Sequence, residues 1–131
     1  MADHHHGYLW LGSAFEFLKD GPRRPEHPEF PTTKVTPLET AHWLLKPARF
    51  IDATFDNPHA AAEWFSAKMR EHTTCDAATI TRTAEGVADT VRRGQDAVGG
   101  WYLTGRRFLS LCLVGCSPHR LRPHYACPLS T

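Results

Sequence analysis

The clearest hydrophobic period along the chain is helical. Ala61, Phe65 and Met69, with Ala60, Trp64 and Lys68 beside them, recur every three to four residues behind Asp56-Asn57-Pro58, a polar cap followed by proline in the first turn. This predicts a helix from Pro58 to about His72, where Thr73-Thr74 breaks the pattern. A second stripe, Val87, Val91, Gly94 and Val98, has Glu85, Asp89, Arg92 and Arg93 facing away from it. It predicts a helix opening at Thr83 or Ala84 and stopped by Gly99-Gly100. Thr36-Pro37-Leu38-Glu39 has the make-up of a capping box and predicts a short helix over residues 37–45, ended by Lys46-Pro47.

Extended pieces lie between these. Residues 78–82 alternate Ile80 against threonines, and residues 49–55 set Phe50 and Ile51 on opposite faces, so both read as strands. Trp101-Tyr102-Leu103, Thr104-Gly105 and residues 107–114 read as a hairpin, with Leu109, Leu111 and Leu113 on its buried side. Residues 8–18 are dense in Tyr, Leu, Trp and Phe and suggest a strand, then a helix. Prolines 22, 25, 28 and 31 make residues 20–36 an extended surface loop, and Pro118, Pro123 and Pro128 make residues 115–131 an irregular tail. The expected architecture is a single α+β domain over residues 1–131: an antiparallel sheet of about three to five strands with two or three helices packed on one face.

Composition adds boundaries more than direction. A chain of 131 residues, 41% apolar and 22% charged, can bury a core without disulfides or metal. The apolar run at 108–116 is less than half a bilayer span, and no secretory leader is recognisable, so a cytoplasmic chain with reduced thiols and no membrane segment is expected. Arginine outnumbers lysine 11 to 4, which suits a high-GC bacterial genome. Residues 1–78 carry 8 cationic against 11 acidic side chains and residues 79–131 carry 7 against 3, a mild polarity within a net charge of +1.

The candidate chemistry gathers in the tail. Cys116-x2-His119-x4-His124-x2-Cys127 offers four soft or borderline donors in a segment that cannot form regular structure, a reasonable set for zinc. The run is similar to the C-x2-C-x4-H-x4-C zinc knuckle. It departs from that pattern in having His119 where the second cysteine stands and in its shorter last gap, which undercuts any transfer of nucleic-acid binding. Two alternatives stay open: buried thiols packing the tail onto the sheet, and a Cys116–Cys127 disulfide. Cys112 is expected in the core. His4-His5-His6 with Asp3 could hold a metal, but at a chain end solvent exposure is the expectation. Cys75 near His72 and Asp76 invites a nucleophile, against the field of a helix C-terminus.

Arg92, Arg93, Arg106, Arg107, Arg120 and Arg122 could form one positive surface for nucleic acid or another partner, and Trp43, beside His42 on a short helix, could be exposed for protein contact. Phosphate-loop, dinucleotide, nucleophile-elbow and H-E-x-x-H motifs do not occur. The leading expectation is therefore a small non-catalytic accessory or regulatory protein that binds a macromolecular partner or itself, as a homodimer through a strand edge or aromatic patch. Alternatives are a nucleic-acid-associated protein with a zinc-ordered tail and a small Cys/His enzyme.

Overall fold

The computed structural model describes residues 2–129; residues 1, 130 and 131, the last two belonging to the expected tail, lie outside it. Four strands, β1 (His4–Ser13), β2 (Ala53–Phe55), β3 (Ala97–Leu103) and β4 (Arg107–Cys116), form one antiparallel sheet in the order β2-β1-β4-β3. The first and last strands are thus its centre, paired over ten residues from His4↔Cys116 to Ser13↔Arg107. Three helices join them: a single turn α1 (Ala14–Phe17) and two long helices, α2 (Pro58–His72) and α3 (Ala77–Arg92). The α+β class is that expected, and among the described residues no helix is long and apolar enough to cross a membrane.

Because side chains alternate along a strand, the sheet has two chemically distinct faces. Leu9, Leu11, Leu109, Leu111 and Leu113 point to one side, where Ala61, Phe65, Met69, Ile80, Val87 and Val91 of α2 and α3 close over them. The helices are well started: Asn57 Oδ1 accepts from Ala60 N at 3.0 Å, and Asp76 Oδ1 accepts from Thr79 N at 2.7 Å. Tyr8, Trp10, Phe108, Cys112, Val114 and Cys116 point to the other side. That side is covered by an irregular layer of 3-10 turns at Gly21–Arg23, Thr40–Leu45 and Ala48–Phe50, and by the residues after β4.

Several local expectations are corrected. Residues 78–82 are the first turns of α3, because the Asp76 cap makes Ile80 the head of a helical stripe that continues through Val87 and Val91. That helix ends at Arg92, where Gly94 takes φ +74°, so Gly99 and Gly100 fall inside β3. The capping box does not form: Glu39 precedes a 3-10 helix with no side-chain cap, and the Thr36 hydroxyl instead accepts from Ser110 Oγ at 3.1 Å. Only Ala53–Phe55 of residues 49–55 is strand. Trp43 is fully buried, stacked on Tyr8 at 4.5 Å between ring centroids, so it offers no surface. The hairpin forms where it was read, joined by the three-residue connection Thr104-Gly105-Arg106 in which Gly105 and Arg106 take positive φ of 75° and 57°.

Residues 20–36 are more than a surface loop. Phe30, Val35 and Thr36 are buried, and the segment is held by cationic side chains where proline removes amide donors. Lys46, itself buried, donates from Nζ to Phe30 O (2.7 Å) and Thr33 O (2.6 Å). Arg23 donates to Phe17 O (2.7 Å) and Thr36 O (2.8 Å) while its guanidinium lies over the Phe17 ring.

Candidate metal centre

At the His4 end of the sheet, alternation along β1 sends His4 and His6 to the irregular side, and the register sets His4 directly across from Cys116 at the end of β4. The chain then leaves β4 and returns to place Cys127 over the same spot. One donor atom from each of His4, His6, Cys116 and Cys127 lies within 4.8 Å of every other. His4 Nε2 is 3.1 Å from His6 Nε2, His6 Nε2 is 3.3 Å from Cys127 Sγ, and Cys127 Sγ is 3.6 Å from His4 Nε2. A zinc tetrahedron with bonds of about 2.0–2.3 Å has edges of roughly 3.3–3.8 Å. The three observed separations cluster around that range, and the donor set is one that binds divalent metal.

The surroundings fit the same chemistry. His6 is fully buried, and burial together with neighbouring His4 and His5 brings its pKa down to about 4, leaving a neutral imidazole. His6 Nδ1 lies 2.8 Å from Thr54 Oγ1 and Nε2 lies 3.3 Å from Cys127 Sγ, so the tautomer that donates from Nδ1 to Thr54 turns the Nε2 lone pair to that sulfur. Burial, with Cys127 alongside, pushes the Cys116 thiol up to about 11, so metal binding here would displace a proton. The Tyr8 phenol is buried with no hydrogen-bond partner among the described residues, in the field of Cys112, Cys116 and Cys127.

Two of the four residues singled out in the tail, Cys116 and Cys127, belong to this group, and two do not. His119 is 2% exposed and committed elsewhere: Nε2 bonds Asp96 Oδ2 at 2.7 Å, and Nδ1 accepts from Leu121 N and Arg122 N. Those bonds fix the bend after β4 that turns Cys127 back. His124 is exposed, its ring against Tyr125. Their places are taken by His4 and His6. The expectation that His4-His5-His6 lie in solvent is corrected, since His5 and His6 are both buried and His5 Nε2 bonds Gln95 O at 2.9 Å. The signal in the sequence was the spacing itself: His4, His6, Tyr8 and Trp10 alternate at the strand period. Cys112 is buried as expected. All four cysteines are free thiols, so no Cys116–Cys127 disulfide is present, and Cys75 is half-buried with no contact to His72 among the hydrogen bonds of that turn.

The arginines do not make one surface. Arg93 and Arg120 share a cleft of about 330 Å³ with Ala2 and Pro123, beside the tail. Arg106 and Arg107 sit at the hairpin tip, separated from Cys116 by the length of β4, roughly 30 Å for ten residues. Arg92 is paired with Asp89 at 2.7 Å and Arg122 with Glu39 at 2.9 Å. No family model, curated protein or solved structure matches the chain, so its chemistry rests on these side chains alone.

Proposed function

We propose that this chain is a zinc-binding accessory protein in which the metal is structural. It would hold the returning tail against the centre of the sheet while the protein acts by binding a macromolecular partner. The observation that carries this reading is the convergence of His4, His6, Cys116 and Cys127 within 4.8 Å. Four protein donors leave no open position for water or substrate, the mark of structural and not catalytic zinc. The binding role is supported by large apolar side chains left in solvent, among them Phe15, Leu18 and Tyr102 at 60–65% exposure.

Native mass spectrometry of the zinc-loaded protein, with and without a strong chelator, tests the metal. One zinc per chain is expected, lost in His6→Ala and Cys127→Ser but retained in His124→Ala. Cobalt substitution should give the thiolate charge-transfer band of a two-sulfur site. A metal-free wild type, or a metal that survives Cys127→Ser, overturns the reading.

A further inference from the structure

The two edges of the sheet are finished differently. β2 is three residues long and lies between Asp52 and Asp56, which suits an edge protected from pairing. β3 is seven residues long, Ala97-Val98-Gly99-Gly100-Trp101-Tyr102-Leu103, with no charge, no proline and an uninterrupted register against β4. Its outer edge has no strand partner among the described residues, and Val98 and Tyr102 stand 60% and 65% exposed on the irregular side. Edge strands ordinarily carry a charge, a proline or a bulge that blocks pairing, and β3 carries none of them.

Cavities flank this edge on both faces. On the irregular side, about 270 Å³ is bounded by Phe17, Leu38, Val98, Gly100 and Phe108. On the helical side, about 340 Å³ is bounded by Gly86, Val87, Val98, Gly99 and Trp101. Gly86 stands inside α3, where glycine is unfavourable, and a Cβ there would meet nothing within 4 Å, so the helix leaves that cavity open.

We propose that β3 pairs antiparallel with β3 of a second copy of this chain, with Gly100 on the two-fold axis, joining two sheets into one. The strand is self-complementary about that residue. Val98 then lies opposite the partner's Tyr102, a β-branched residue against an aromatic one, twice by symmetry. Gly99 lies opposite the partner's Trp101, and Ala97 opposite the partner's Leu103. The partner's Tyr102 thus arrives at the cavity beside Val98, while each Trp101 stays over its own chain's Gly99 and against its own Phe65. Moving the axis to Gly99 or to Trp101 sets Gly100 opposite Val98 or Tyr102 and loses both apolar pairs. The inference is independent of the metal centre, which lies at the far end of β1 and β4 from the turn that β3 enters.

Sedimentation velocity and light scattering on the full chain test it. A species of twice the 14.8 kDa chain mass is expected for the wild type. Val98→Glu/Tyr102→Glu sets like charges across each pair and should run as a monomer, as should Val98→Lys/Tyr102→Lys. Both positions are exposed, so circular dichroism and melting of the separate variants should match a folded chain. An equimolar mixture of the acidic and basic variants sets opposite charges across the same pairs and should recover the dimer mass. A wild type that stays monomeric at every concentration, a dimer that persists in the acidic variant, or a mixture that stays monomeric overturns the proposal.

Discussion

Leu111 and Ser110 are neighbours in β4, yet they point into layers built in different ways. Leu111 faces α2 and α3, whose backbone groups bond within each helix, so the layer has only to supply an apolar stripe. Ser110 faces a layer drawn from residues 20–50, which holds six prolines and little repeating structure. Proline brings a carbonyl without an amide, and a layer rich in it is short of donors. The shortage is met by side chains, Arg23 on Phe17 O and Thr36 O and Lys46 on Phe30 O and Thr33 O, and Ser110 adds a buried bond to the Thr36 hydroxyl. An irregular layer therefore contains a buried lysine and buried hydroxyls where a helical one contains alanine and phenylalanine.

The largest single loss is expected on the helical side. Leu111→Ala empties a site at 0% exposure between both long helices and should cost about 2–5 kcal/mol, read by denaturant unfolding as a loss of the whole cooperative transition. On the irregular side Lys46→Met leaves Phe30 O and Thr33 O without their donor and should cost about 1–3 kcal/mol. Hydrogen exchange should place that loss in residues 28–50 and leave α2 and α3 protected. The same variant sharpens the contrast through pH. Burial pulls the Lys46 ammonium down to about 8, so between pH 8 and the ordinary lysine value near 10.5 the unfolded chain holds a proton that the native chain has released. Stability contributed by this group rises with pH across that window. The difference in unfolding free energy between wild type and Lys46→Met should therefore move in the wild type's favour there, while a flat difference would mean Lys46 stays charged. The smallest effect is expected at Asn57→Ala, about 1 kcal/mol, because a helix cap is one bond among many in a layer that satisfies itself.

The helical side was also the legible side. Asn57-Pro58 and the stripe behind it mark where α2 begins and, approximately, where it ends, and the leucines of β4 declare a buried face. The start of α3 was hidden because Ile80 among threonines fits a period of two as well as it fits the first turn of a stripe. In the irregular layer local patterns mislead: Thr36 and Glu39 have the identities of a capping box, but the Thr36 hydroxyl is drawn to Ser110, a partner 74 residues away. The candidate metal centre was half visible for the same reason. Cys116 and Cys127 lie close together in sequence, whereas His4 and His6 meet them only through the β1–β4 register, across more than a hundred positions. Three consecutive histidines near a chain end look polar and terminal until the strand splits them between two faces.

That pairing also sets the order in which the molecule can be assembled. Of the four strands β1 is made first and its long neighbour β4 last, so Tyr8-Leu9-Trp10-Leu11 has no strand to lie against until some hundred further residues have been added. Contacts this distant in sequence slow folding, and they leave an apolar strand open to wrong partners in the interval. The hairpin of β3 and β4, by contrast, can close as soon as it exists and present β4 as a finished template. During synthesis on the ribosome the sheet is therefore completed backwards, by the oldest strand joining the youngest.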